Sequence, residues 1–441
     1  MKWMLTAVLM AMCACLAVAQ SPAPQTQVVD PGPRGGAPGA GGFVANLMPD
    51  ELLFAQDGLA RFLSVDAVPT GLGPFANLNS CAGCHAQPSV GGTSPSVNPQ
   101  IAFATLDGAQ NQIPEFLSIN GPVREARFVK YANGTLDGGV HSEFSITGRS
   151  DAQGCQLAQP NFAAEVAAGN VIFRIPTPLF GTGLIENILD TTILNNQAAN
   201  PLAKQLLGIA GVPNRSANTG TITKFGWKAQ NPSLLVFAGE AYDVEMGVSN
   251  EAFTVERPQP GSTLPASCIL NPTPEDTTNA PAQGAPVNSD VTAFAFFMRL
   301  LDQPTPAPPT PQTQQGQQVF NAIGCALCHT PSMTTAQSSF APAALSGVQA
   351  NLFSDLLVHN MGVGLADGVS QGSANGNQFR TAPLWGVGQR LFFLSDGRCT
   401  NLPCAIEAHA SNGSEANGVI NLFNRLPLAQ QQNLVLFLRS L

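Results

Sequence analysis

Twice in this chain two cysteines stand two residues apart with a histidine immediately after, at Cys81-Ala-Gly-Cys84-His85 and at Cys325-Ala-Leu-Cys328-His329. Thiols at this spacing reach the two vinyl groups of one porphyrin as thioethers, and the adjacent imidazole is then held at the iron from the proximal side. Random placement of the ten cysteines and five histidines among 441 residues would give about 0.003 such strings per chain, so two of them are informative. Zinc or a disulfide is the competing chemistry. Zinc needs four ligands gathered in one place, and these two strings lie far apart. The reading is therefore two covalently bound haem c groups, with His85 and His329 as axial iron ligands.

Each iron then has one further axial position to account for. Only His141, His359 and His409 remain among the histidines, and Met48, Met246, Met298, Met333 and Met361 among the methionines beyond the first twenty residues. Met298 sits in an apolar segment and reads as core packing. For His141 three roles stand side by side: distal ligand of the first haem, hydrogen-bonding partner in its pocket, or structural residue.

The composition narrows the partners. Charged residues make up 11% of the chain, the net charge is −9, and only five of the 19 basic residues are lysine. Such a chain cannot neutralise a row of phosphates, which excludes nucleic acid. An abundance of Gly (43) and Pro (36) points to short elements joined by turn-rich loops. Residues 1–19 have the form of an export signal, with Lys2, an apolar run from Met4 to Leu16, and Ala17-Val18-Ala19 before Gln20. The run is too short for a good membrane anchor. A periplasmic or secreted protein that does not span a membrane is expected, with Cys13 and Cys15 removed along with the signal. Four cysteines outside the haem strings, Cys155, Cys268, Cys399 and Cys404, suggest two disulfides in that oxidising compartment, with three pairings open.

The elements that must position these groups are legible in outline. Residues 20–42 are Pro/Gly-rich and read as a mobile leader, and 304–313, PTPAPPTPQT, as a stiff linker. Between them lies an N-terminal haem domain, 43–303, and after them a C-terminal one, 314–441. Residues 291–301, VTAFAFFMRLL, predict a buried helix capped by Ser289-Asp290. Residues 426–441 predict another, and Gln314–Ile323 a helix leading into the second haem string. Phe297-Met-Arg-Leu-Leu301 matches Phe437-Leu-Arg-Ser-Leu441, and Pro178-Leu-Phe-Gly-Thr-Gly183 matches Pro383-Leu-Trp-Gly-Val-Gly388. The order haem string, PL[FW]GxG, closing helix thus occurs twice, as in a duplicated module. The extra length of the first copy, about 100–290, reads mostly as loop with short strands or helices.

Longer strings extend this pattern: CAGCHAQPSVGG from Cys81, HSEFSITGRSDAQGC from His141, PTPLFGTGLIENI from Pro176 and FGWKAQNPSLLVFAGEAYDVEMGVS from Phe225. DLLVHNMGVGLADG from Asp355, RTAPLWGVGQRLFFLSDGR from Arg380 and AIEAHASNGSEA from Ala405 continue it. In combination they resemble the bacterial di-haem cytochrome c peroxidase superfamily, and more closely its di-haem oxidoreductases, some of which are labelled thiol oxidoreductases. The resemblance implies a mainly α fold class: two cytochrome c-like haem domains with long loops and a large insertion in the first.

It also implies roles. His409, shortly after Ser395-Asp396-Gly397-Arg398, falls where relatives carry the distal ligand of the C-terminal haem. His359 falls where they carry a residue supporting that pocket, with ligation by His359 or Met361 as the alternative. Glu186, just after PLFGTG, is the candidate acid/base for peroxide at an open first haem; the alternative is a solvated residue. Trp227 resembles an aromatic relay between haems, or packs an interface. Arg174, Arg380 and Arg398 are candidate partners of the haem propionates, or surface arginines. No His/Arg peroxidase pair is evident.

The expected function is a peroxidase-like oxidoreductase. It would take electrons from a small cytochrome or cupredoxin-type donor at the C-terminal haem and pass them to a reactive N-terminal haem, where peroxide or another small oxidant is reduced. A non-catalytic electron-transfer cytochrome and a di-haem oxygenase acting on an organic substrate are the alternatives. A Ca2+ ion between the domains is left open.

Overall fold

The computed structural model describes residues 27–271 and 289–441. The export signal, its cleavage site and the first part of the leader lie outside the described residues.

The first half is organised around the helix Asp290–Leu300. Ser289 caps it as expected, its hydroxyl accepting from the Thr292 N–H at 3.0 Å. Its apolar residues run all round because three helices, Pro49–Phe62, Leu234–Met246 and Thr182–Glu186, pack on it from different sides. Gly58 permits the close approach of the first: a Cβ there would stand 2.3 Å from the Ala293 carbonyl oxygen. In the second half, the helix Pro311–Ala322 packs on the closing helix Leu428–Ser440 in the same way. There a Cβ on Gly316 would meet the Asn433 carbonyl oxygen at 1.9 Å.

The PL[FW]GxG turns repeat this economy of space. Gly183 lies under the carbonyl of Arg299 and Gly388 under that of Arg439, at 1.9 and 2.2 Å from a hypothetical Cβ. Arg299 and Arg439 are matching positions of the two closing helices. Phe62 and Phe320 match as well, each set against the closing-helix phenylalanine (Phe297 at 4.6 Å, Phe437 at 5.4 Å between ring centroids). The sequence repeat is therefore one packing arrangement used twice.

Between the first haem string and its PLFGTG turn, the chain builds a three-stranded antiparallel sheet in the order Leu136–His141, Glu125–Lys130, Val171–Arg174. Ala126 and Phe128 of the central strand are buried with Phe162, so Glu125 and Arg127 occupy its opposite face. Fourteen α-helices, most of them short, occur among the described residues and give 33% helix against 11% strand. That share is ordinary for a globular chain. The expected mainly α class describes the packing of the closing helices better than it describes the whole.

Residues 27–42 differ from the expected mobile leader. Asp30 forms a buried ion pair with Arg439 at 2.7 Å and also accepts from the Leu402 N–H at 2.6 Å, while the Arg34 N–H donates to the Gly388 carbonyl at 2.7 Å. The segment is strapped across the second half, its polar backbone satisfied by that surface. The proline segment is likewise anchored, with the Ala307 N–H donating to the Ser440 carbonyl. Its last residues begin the next helix, Thr310 capping and Pro311 taking the first helical position. The disulfides are Cys155–Cys268 and Cys399–Cys404. No helix among the described residues is long and apolar enough to cross a membrane.

Candidate functional site

Each haem string opens onto a cleft. The first encloses about 1330 Å³ and the second about 1500 Å³ of empty space, mouths included. Cys81, Cys84, Cys325 and Cys328 are the free thiols among the described residues, and they line these clefts. His85 Nδ1 lies 2.9 Å from the Gly92 carbonyl and His329 Nδ1 3.0 Å from the Phe353 carbonyl. Such a bond fixes the ring and favours the tautomer whose Nε2 carries a lone pair for metal. Burial drives both imidazoles down to about 4, so they are neutral at neutral pH. Phe62 and Phe320 stand against the two rings, at 5.9 and 6.4 Å.

The clefts differ in what faces these histidines. In the second, His409 lines the same space as His329 and is close enough to lower its basicity further. His409 Nδ1 is held 2.7 Å from the Ala405 carbonyl, one helical turn back. The surrounding wall is apolar, with Leu365, Val387, Leu402, Ile406 and Val419. Two guanidinium groups interrupt it. Arg390 is buried with Nε and one Nη unpartnered, and Arg380 has its Nε on the Gly226 carbonyl at 3.0 Å. Burial lowers both to about 10, and Arg380 is lowered further by Arg390 beside it. Buried cations without a carboxylate call for an anion, and the propionates of a haem would supply one. On these grounds the cleft fits the group.

His359 lines the second cleft beside Cys328, but its ring is fully engaged, Nε2 with Asp355 at 2.9 Å and Nδ1 with Glu415 at 2.8 Å. Burial alone would lower it; Asp355 and Glu415 more than reverse that and raise it well above the ordinary imidazole range. A doubly paired imidazolium supports the pocket and is no iron ligand. Cys328, Asp355 and His359 are the one group of side chains among the described residues close enough to hold an ion. The Cys328 thiol belongs to the haem string and the other two to this ion pair, and the set lacks the oxygen count Ca2+ prefers.

The first cleft has no second histidine on its wall. His141 is stacked on Phe128 at 3.8 Å, with Nε2 3.0 Å from the Gly138 carbonyl, which leaves it the structural role. Met246 sets its sulfur 3.8 Å from Cys81 Sγ, at the attachment edge. The wall of this first cleft is mostly apolar but more polar than that of the second, with Glu125, Arg124 and Arg127 from the central strand and its approach, and Gln230, Glu240 and Glu245 also lining the space.

One site expectation is corrected, and one open pair of alternatives resolves to the surface reading. Glu186 does not line the first cleft. Its carboxylate accepts from Arg299 Nε at 2.6 Å and from the Leu234 N–H at 2.9 Å, so it ties the closing helix to the start of Leu234–Met246. Arg398 is half exposed, paired with Asp396 at 2.6 Å, and lines neither cleft. Arg174 does line the first cleft but is already paired with Asp367, as is Lys228 at 3.1 Å. Trp227 is buried and borders both clefts, its Nε1 donating to the Ile175 carbonyl at 3.1 Å. Sequence reasoning missed Arg390, Glu125, Arg127 and Glu245. The alternation Glu-Ala-Arg-Phe-Val-Lys at 125–130 was the available signal for two of them.

No curated protein matches the chain. Among solved structures, it is similar to the diheme peroxidase BthA of Burkholderia thailandensis at 16% identity, over 94% of this chain and 92% of that one, with a TM-score of 0.34. A MauG-like protein associated with microbial copper homeostasis matches at 16% identity over 60% and 90%, TM-score 0.31. Hydrazine synthase of Kuenenia stuttgartiensis matches at 18% over 36% of this chain, which spans 59% of that one, TM-score 0.22. The family model described as "Di-haem oxidoreductase, putative peroxidase" matches residues 123–441. This chain therefore belongs to the di-haem oxidoreductase family.

Proposed function

We propose that this chain is an exported di-haem c-type oxidoreductase that receives electrons at the second cleft and reduces peroxide at the first. The observation that carries the reading is the contrast between the clefts. His329 and His409 share one apolar cleft, an arrangement suited to closing both axial positions and moving electrons. The first cleft offers His85 as its one histidine and has carboxyl and guanidinium groups on its wall, an arrangement suited to a small polar oxidant.

Bound haem supplies a redox-active iron in each cleft, held by thioethers to Cys81 and Cys84 and to Cys325 and Cys328. Arg380 and Arg390 would hold the propionates of the second group. Trp227, bordering both clefts, is placed to relay an electron between them, and its bond to Ile175 fixes the indole. The export signal supports a periplasmic or secreted setting, where a small cytochrome or cupredoxin is the fitting donor. The test is steady-state turnover of the holo protein with hydrogen peroxide and a chemically reduced small cytochrome. Donor oxidation that depends on peroxide is expected; donor oxidation no faster than in the absence of protein would overturn the reading.

A further inference from the structure

The chain has two tyrosines. Tyr131 is exposed; Tyr242 is buried, on the helix Leu234–Met246, and lines the first cleft with Cys81 and His85. Met246, one helical turn further on, sets its sulfur 3.8 Å from Cys81 Sγ, so the helix face that carries Tyr242 runs along the attachment edge. The Tyr242 ring stands edge-on to Phe294 at 5.0 Å between centroids, Phe294 to Phe62 at 6.3 Å, and Phe62 to the His85 imidazole at 5.9 Å. Packed rings thus join the phenol to the histidine of this cleft.

Its hydroxyl donates to Asp290 Oδ2 at 3.1 Å and stands 3.4 Å from Asp66 Oδ2. Both carboxyl groups are buried, and neither residue lines the cleft. Arg61 Nε pairs with the other oxygen of Asp290 at 3.2 Å. Burial, then the charge of Asp290, pushes the Asp66 carboxyl up to about 6, which makes it a better base than an ordinary carboxylate. A buried phenol needs one acceptor. Two acidic side chains gathered at its oxygen exceed that need, and bringing buried carboxylates together is costly. What such a cluster can do is take the phenolic proton, and a phenol that loses its proton as it loses an electron leaves no unpaired charge on its ring.

We propose that Tyr242 is a redox residue of the first cleft, giving one electron to the haem there and its phenolic proton to the Asp290 and Asp66 carboxyl groups. The proposal rests on peroxide reduction as the activity. One peroxide takes two electrons, and two protons from solvent, to become two waters. One electron comes from the haem iron and the other from Tyr242. The phenolic O–H bond breaks, the proton stays on a carboxylate, and a neutral phenoxyl radical remains. The small donor protein then returns both electrons, and the carboxylate returns the proton to the phenoxyl oxygen. Tyr242 is thereby a local electron store that lets the cleft complete a two-electron reduction before the donor arrives.

The test uses holo protein carrying Tyr131→Phe, in which Tyr242 is the one tyrosine; Tyr131 lines neither cleft. The protein is mixed with hydrogen peroxide in the absence of donor, or with hexachloroiridate as an outer-sphere one-electron oxidant, then frozen rapidly and read by electron paramagnetic resonance. Both oxidants should give an organic radical whose hyperfine pattern collapses when the protein carries ring-deuterated tyrosine. Adding Tyr242→Phe should abolish it, and Asp66→Asn with Asp290→Asn should slow its formation about 10²-fold, with haem content unchanged. A radical that ring deuteration leaves unchanged would overturn the proposal, as would the absence of any radical with both oxidants. A deuterium-sensitive radical with hexachloroiridate but none with peroxide would overturn peroxide reduction while leaving the proton-coupled tyrosine in place.

Discussion

An imidazole in an apolar cleft, facing a second imidazole and bonded through Nδ1 to its own helix, has one electron pair left to offer. His409 is in that position opposite His329. His409→Ala should convert the second haem from a low-spin to a high-spin optical spectrum, while the first is unaffected; an unchanged low-spin signal would contradict the pairing. Glu186 is in the opposite condition, its oxygens taken by Arg299 and the Leu234 N–H. Glu186→Gln should leave peroxide turnover within a few fold of wild type and cost about 1–3 kcal/mol of stability, because a charged partner is left without its counter-ion. Urea denaturation measures that cost. A turnover loss with no loss of stability would return Glu186 to the chemistry. Both residues were visible in the sequence by position relative to a motif, but only three-dimensional surroundings separate a ligand from a helix tie.

At the scale of elements, the strap 27–42 shows how a Pro/Gly-rich segment becomes ordered without secondary structure. Its backbone groups find fixed partners on the second half, and Asp30 supplies a charge that Arg439 needs. Burial raises the Asp30 carboxyl, but Arg439 and the backbone donors Leu402 and Gly32 outweigh it, and the net shift is downward. The stabilisation is therefore present above the unfolded carboxylate value near 3.9 and fades as pH falls below it. Asp30→Ala should destabilise the second half by about 3–5 kcal/mol, the cost of leaving Arg439 buried and unpaired. A thermal midpoint equal to wild type would contradict this.

The closing helices, the Ser289 cap of the first and the duplicated turn were legible because they follow apolar periodicity, a capping residue type and a repeated string. The sheet was legible only in part. Its central strand alternates, yet Gly138, Gly139 and the intervening loops dilute the signal, and the cleft-facing glutamate looked like any solvated acid. Composition pointed to the strap as free, since burial of Asp30 depends on Arg439 four hundred residues away.

Across the whole molecule, the two halves are joined by charges as much as by packing. Glu415 accepts from the Ala210 and Gly211 N–H groups of the first half and from His359 and Asn360 of the second. Burial raises its carboxyl, but His359 and the backbone donors reverse this and bring it down to about 2. Its contribution is complete above the unfolded value near 4.3 and is lost as pH falls toward 2. His359, raised by the same pair, contributes fully below about 6.5 and loses its share as pH rises through its elevated folded value. The clamp is thus strongest between about pH 5 and 6.5. Glu415→Gln should cost about 3–5 kcal/mol there, and its difference from wild type should shrink toward pH 2; a difference independent of pH would contradict the clamp. Such a joint keeps the clefts in fixed relation around Trp227, which an electron path between unequal haems requires. Electron paramagnetic resonance of the oxidised holo protein reads that inequality. One low-spin signal from the His329/His409 centre and one high-spin signal from the first haem are expected. Two low-spin signals, with no high-spin component, would contradict it.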